Sequence, residues 1–142
     1  MQDKRDGSPG DGAVPTSSFK SKGGFRRLAD ATSYSMKGFA AAWRHEASFR
    51  QEIVAGMLLL PLAIWLAQSL RQGLAMIGAI VFVWLVELLN SAIEALADAV
   101  SLEKHPMIGR AKDLGSAAVL LSLLLAAAVW LAVLWPRLTA AG

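Results

Sequence analysis

The chain has 142 residues, 55% of them hydrophobic, and a mean hydropathy of +0.46, which is too apolar for an ordinary soluble domain of this length and points to a bilayer as solvent. Cysteine is absent, which excludes a disulfide framework and any thiolate metal site and leaves the redox compartment open. Net charge is only +3, from 14 Lys and Arg against 11 Asp and Glu, so the distribution of charge carries more information than its sum.

Residues 1–24 are rich in Gly, Ser, Pro, Asp and Lys, too polar to offset the entropy of ordering, and are expected to form a disordered tail. The first fifty or so residues hold no apolar core beside a cleavage site, so no signal peptide is expected and insertion falls to internal segments. From Phe25 the pattern changes. Phe25, Leu28, Thr32, Met36, Phe39 and Trp43 recur at steps of three and four among Arg26, Arg27, Lys37 and Arg44, which predicts an amphipathic helix over residues 25–46. Beside a membrane span, a helix with this basic and aromatic character is expected on the bilayer surface.

Three apolar segments follow. The first span, about residues 50–69, contains Pro61, which a membrane helix tolerates when neighbours satisfy the freed backbone group. A turn at residues 68–72 leads to the second span, about residues 73–100. Only 14 uncharged residues, 73–86, precede Glu87, fewer than the roughly 20 needed to cross, so the span takes in Glu87 and reaches Asn90. Residues 101–109, with Pro106, predict a break and a loop, and the third span, about residues 111–135, is expected to close at Pro136.

Nine Lys and Arg precede Ile53, and Lys104, Arg110 and Lys112 lie between the second and third segments, whereas only Arg71 and Arg137 fall on the other side. The asymmetry predicts a cytoplasmic N-terminus and second loop, with the C-terminus outside. The basic flank has no aromatic-interleaved patch or nucleic-acid motif, so no nucleic-acid partner is expected. Trp43, Trp65, Trp84, Trp130 and Trp135 fall mostly near segment ends, as interface anchors do, and the small residues read as packing positions between helices.

Within the second span, Glu87, Glu94 and Asp98 project within roughly 20° of one another on a helix, with Asn90 about 60° to one side. Ionisable groups at membrane depth are costly and mark functional sites. Apart from Asp30, the other acidic groups beyond the tail are Glu46 and Glu52 at the first span, and Glu103 and Asp113 before the third. Antiparallel spans bring them to the same membrane face. Carboxylates interspersed with Arg50, Arg110 and Lys112 suit a Mg²⁺-bound polyphosphate, since hard oxygen ligands hold the ion and cations balance phosphate charge. Interfacial salt bridges are the bland alternative for Glu52, Arg50, Lys104 and Arg110 taken singly. His45 and His105 read as simple polar contacts. A carboxylate at the position of Glu87 suits a general base acting on a lipid hydroxyl. The chain has no Walker motif, no protein-kinase signature and no zinc-protease or serine-nucleophile motif, so a phosphotransferase here would use another fold.

Three blocks, Glu46-Ala-Ser-Phe-Arg-Gln-Glu52, Glu87-Leu-Leu-Asn-Ser-Ala-Ile-Glu94 and Gly109-Arg-Ala-Lys-Asp-Leu-Gly-Ser-Ala-Ala118, resemble the bacterial membrane diacylglycerol kinase family in order and spacing. The resemblance runs from about Phe25 to Trp135. It implies an all-α integral membrane protein of the bacterial inner membrane: an amphipathic surface helix plus three transmembrane helices, assembled as a homotrimeric bundle with composite sites. The implied reaction transfers the γ-phosphoryl group of MgATP to diacylglycerol, giving phosphatidic acid. On matching positions, the resemblance implies Glu87 as the base and Glu46 and Glu94 as ligands of Mg²⁺. Nucleotide contacts would come from Arg27, Tyr34, Asn90, Asp98, Glu103, His105, Lys112 and Asp113, as well as from the two metal ligands. Lipid contacts would come from Arg27, Ser48, Phe49, Trp65, Ser116 and Trp130. Met36, where Trp is common, and Arg44-His45, where a more neutral pair is common, depart from the pattern at the rim of the lipid or nucleotide pocket.

Three rival readings stand beside this one. A kinase of the same fold acting on undecaprenol would carry the same carboxylates. A small oligomeric proton or cation channel could use the stripe, although the first and third spans offer no acidic group in their interiors to continue a relay. A purely structural protein would leave the cost of the stripe unexplained.

Overall fold

The computed structural model describes residues 24–100 and 105–140, and among them no strand occurs. Four helices follow in order: α1 (Gly24–His45), α2 (Ala47–Leu66), α3 (Leu70–Val100) and α4 (Pro106–Ala140). Residues 1–23 of the expected tail, and loop residues 101–104 with Glu103, lie outside the described residues.

The chain divides inside α1 into two units, Met1–Met36 and Lys37–Gly142. In the first unit, the hydroxyls of Thr32 and Ser35 bond back to the carbonyls of Leu28 and Ala31, each at 2.9 Å, so these polar groups are satisfied within the helix. Leu28, Tyr34 and Met36 are exposed there.

The second unit begins with the last turns of α1, which meet α2 at a one-residue corner. Glu46 has extended backbone angles, φ −108° and ψ 114°, and separates the two helices. Arg50 fastens the corner: its Nη1 donates to the carbonyls of Trp43 at 2.9 Å and Arg44 at 3.4 Å, which are among the carbonyls that the end of α1 leaves without helical partners. Phe49, almost fully buried, lies against Phe39 with ring centroids 6.5 Å apart. The Glu46 side chain makes no capping bond, so its carboxylate is not consumed in holding the corner.

Within this unit α3 packs against both α2 and α4. All three of α2, α3 and α4 are long and apolar enough to cross a bilayer. Burial falls from 39% over the most apolar window of α3 to 17% in α2 and 6% in α4, so the apolar surface of the two flanking helices faces mostly outwards, as lipid-facing helices require. Close approach of α2 and α3 depends on Gly56. A Cβ there would lie 2.7 Å from Trp84 Cε2 and 2.8 Å from Ile80 Cγ2, while the Trp84 indole N–H donates to the Glu52 carbonyl at 2.9 Å and fixes the ring. Gly56→Ala is therefore expected to destabilise the protein by about 1–3 kcal/mol. The matching control is Gly78→Ala, where a Cβ meets nothing within 4 Å. An SDS titration of the detergent-solubilised protein should show an earlier midpoint for the first variant only.

The helix ends differ from those expected. α3 begins at Leu70, inside the turn placed at residues 68–72, because the Ser69 hydroxyl accepts from the Gln72 N–H at 3.3 Å and supplies an N-cap. Pro106 opens α4 rather than lying in the loop, so the helix starts before residue 111: a proline at the first helical position sacrifices no hydrogen bond. Nor does Pro136 close α4. The helix runs on to Ala140, with the Thr139 hydroxyl bonded to the carbonyls of Trp135 and Pro136, each at 3.2 Å.

Candidate active site

The stripe on α3 changes both its environment and its partner along the helix. Glu87 is 1% exposed, and the Ser48 hydroxyl from the first turn of α2 donates to its Oε1. One turn on, Asn90 is buried, and its Nδ2 donates to Glu94 Oε1 at 3.0 Å. Glu94 is half-buried and Asp98 is exposed, reached from α4 by Lys112 Nζ at 2.6 Å. The face thus runs from a carboxylate sealed against α2 to a solvent-facing ion pair with α4, over a rise of about 16 Å. The partner of Glu87 is a neutral hydroxyl, which satisfies one oxygen without compensating the charge.

Glu46 joins this end of the stripe. Both Glu46 and Glu94, besides Asp98, lie within electrostatic reach of the Lys112 ammonium. A cavity of about 430 Å³ opens between the end of α1 and α3, with His45, Glu46 and Ser91 in its lining, and the buried Ser91 hydroxyl has no partner. Among the described residues no three His, Asp or Glu side chains converge as a metal site. Glu46, whose carboxylate makes no capping bond, and Glu94 fit Mg²⁺, which takes one or two protein carboxylates and completes its shell from water and phosphate.

Other expected site residues are distributed as follows. Arg27 and Tyr34 lie in the first unit, both exposed, two turns apart on α1. His105 is exposed directly before α4, where its Nδ1 accepts from the Met107 N–H at 3.3 Å and caps the helix. Asp113 and Ser116 are exposed on α4. Phe49 is buried against Phe39, so the structure gives it a packing role at the corner. Trp130 is half-buried and lines a cavity of about 300 Å³ between α2, α3 and α4, shared with Glu52, Gly56 and Trp84. Trp65, 77% exposed, is outside that lining.

Two residues matter here that sequence reasoning left without a role. Glu52 lines the apolar cavity with one buried carboxylate oxygen lacking a partner, and it lies within electrostatic reach of Glu87. The sequence placed it in the acidic cluster at the start of the first span and in the block from Glu46 to Glu52, but an interfacial salt bridge explained it equally well. Gly115 on α4 is buried against Asn90: a Cβ there would overlap the amide oxygen and lie 3.4 Å from Cγ. A glycine in a helix signals close approach, but the chain does not say to what.

Three apolar helices with a sealed carboxylate and an acid-rich rim at one end define an all-α, multi-pass membrane protein with an ionisable site. Residues 33–134 match the family described as prokaryotic diacylglycerol kinase. The chain belongs to that family. It is 46% identical over 112 residues to the diacylglycerol kinase of Escherichia coli strain K12, covering 79% of this chain and 92% of the relative. The diacylglycerol kinase of Pseudomonas aeruginosa is 45% identical over 118 residues, covering 83% and 96%. That of Helicobacter pylori strain 26695 is 39% identical over 108 residues, covering 75% and 84%.

Proposed function

We propose that this protein is a lipid kinase that transfers the γ-phosphoryl group of MgATP to the primary hydroxyl of diacylglycerol, giving phosphatidic acid at the cytoplasmic face of the bacterial inner membrane. The observation that carries this reading is the buried Glu87, hydrogen-bonded by a neutral hydroxyl at the lipid boundary and followed along one helical face by the Asn90, Glu94 and Asp98 rim. Family membership and relatives named diacylglycerol kinase support the acceptor.

In this mechanism Glu87 takes the proton of the acceptor hydroxyl as its oxygen attacks the γ-phosphorus in line. The bond from that phosphorus to the β,γ-bridging oxygen breaks, and ADP leaves. With Ser48 occupying Oε1, Glu87 Oε2 is the oxygen available to the acceptor. Glu46 and Glu94 would hold Mg²⁺, and Asn90 orders Glu94. The ion, when bound, neutralises phosphate charge and orients the γ-phosphoryl group. Lys112, steadied by Asp98, adds a cation at the rim, with Asp113 and His105 as further nucleotide contacts in the same unit. For Arg27, Tyr34 and Glu103 a nucleotide contact rests on the family resemblance alone. The acyl chains lie along the apolar helices, with Ser48, Trp65, Ser116 and Trp130 among their contacts. The outward apolar faces of α2 and α4 suit packing against lipid or further copies of the chain, in keeping with a homotrimer with shared sites.

The test is phosphate transfer from radiolabelled ATP to diacylglycerol and, separately, to undecaprenol in mixed micelles. Mg²⁺-dependent labelling of diacylglycerol is the expected result. Preferential labelling of undecaprenol would transfer the acceptor assignment to that lipid. Labelling of neither, by folded protein, would overturn the kinase reading.

A further inference from the structure

Gly115 stands outside the acid-rich face, yet it determines where one member of that face can sit. Asn90 is 8% exposed, and its side chain leaves α3 towards α4. Its Oδ1 lies against the Gly115 backbone, buried and without a hydrogen-bond partner, and its Nδ2 donates to Glu94 Oε1 at 3.0 Å. Rotating the amide by half a turn would set its oxygen against the Glu94 carboxylate, so the bond to Glu94 selects this orientation. The orientation in turn requires the space that a side chain at residue 115 would fill. A Cβ would overlap Oδ1 and stand 3.4 Å from Cγ, with Ile93 Cδ1 at 3.7 Å closing the remaining side. An added methyl group therefore forces the amide, rather than the helix backbone alone, to give way.

We propose that Gly115 is a positioning residue for the metal-binding carboxylate: its missing side chain seats the Asn90 amide, and the seated amide holds Glu94 in the orientation that receives Mg²⁺. This rests on the metal role proposed for Glu94. Gly115 touches neither metal nor nucleotide and acts through two intermediaries. Partners that orient a ligating carboxylate are typically worth one to two orders of magnitude in metal affinity. The inference also accounts for tolerance of an unpartnered buried oxygen: the amide is held by its nitrogen, and its oxygen sits where Gly115 carries no side chain.

The test uses the full chain in detergent micelles with Mn²⁺ as probe, its free concentration read by electron paramagnetic resonance in the presence of a non-hydrolysable ATP analogue. Gly115→Ala is expected to weaken Mn²⁺ binding roughly tenfold. Asn90→Ala should weaken it by the same factor, and Gly115→Ala combined with Asn90→Ala should cost no more than Asn90→Ala alone. Such non-additivity is the signature of one pathway through the amide, and general loosening of the α3–α4 contact would not produce it. The double variant also serves if Gly115→Ala alone fails to fold, because removing the amide removes the overlap. Unchanged Mn²⁺ affinity in folded Gly115→Ala, or a double variant weaker than Asn90→Ala by a further factor, overturns the inference. Glu94→Gln, measured alongside, separates the two levels. Weakened binding there with an unaffected Gly115→Ala rejects the positioning role alone, and unaffected binding in Glu94→Gln rejects the metal assignment on which it stands.

Discussion

Glu87→Gln is expected to lower the rate of phosphate transfer by about 10²–10⁴-fold, the range that a positioned general base contributes, while leaving the affinity for MgATP nearly intact. The substitution is close to isosteric, and the amide oxygen of Gln can still accept from the Ser48 hydroxyl, so the contact between α2 and α3 survives. What is lost is the capacity to take a proton from the acceptor. Glu94 lies seven residues along α3, about 10 Å by helical rise, so the nucleotide end of the site should not sense the change. Initial rates with saturating lipid and varied MgATP, together with equilibrium binding of a nucleotide analogue, provide the check. A loss of nucleotide affinity as large as the loss of rate would sink the separation of base from metal site.

The same substitution carries an opposite expectation for stability. A carboxylate 1% exposed, with one neutral donor, is costly to bury, and an uncharged amide of the same size removes that cost. The variant should therefore resist SDS at least as well as the parent. Inactive protein of equal or greater stability is the signature of a group retained for chemistry. Had Glu87 been a structural acid, Gln would cost stability and spare the rate.

Much of this was legible in the chain because it follows from local rules. Length and hydropathy give three membrane-grade helices, and helical period alone puts Glu87, Glu94 and Asp98 on one face. The grading of that face was not legible, since the burial of Glu87 and the exposure of Asp98 depend on where α2 and α4 cross α3. Pro106 and Pro136 show the limit at helix ends. A proline reads as a break, yet Pro106 starts α4 without penalty and Pro136 sits inside its last turns, so the residue type alone does not place the helix end. Ser48 was expected among the lipid contacts, and the structure adds that its hydroxyl is bonded to Glu87. That small residues pack between helices was legible, but what Gly56 and Gly115 pack against was not, because each is defined by a side chain from another helix, Trp84 in one case and Asn90 in the other.

Glu46→Gln and Glu94→Gln are each expected to raise the KM for MgATP by about 10–100-fold and to lower the rate as well, because each removes one of the two protein carboxylates proposed to share the metal with phosphate. The two positions arise independently. Glu94 is presented by a continuous helix and oriented by Asn90, whereas Glu46 occupies the single extended residue between α1 and α2. Since the Glu46 carboxylate makes no capping bond, replacing it should leave the SDS midpoint unchanged, so a kinetic effect there cannot be assigned to a loosened corner. Asp98 supplies the comparison. It is exposed and paired with an exposed Lys112, and water screens such pairs, so Asp98→Asn should have a much smaller effect on MgATP affinity than either carboxylate nearer the phosphates. The ordering can be read from KM values determined at several fixed Mg²⁺ concentrations. For Glu46→Gln and Glu94→Gln, raising Mg²⁺ should recover part of the loss, as mass action requires when the defect lies in holding the ion. If added Mg²⁺ recovers nothing for either variant, their carboxylates act elsewhere than on the metal.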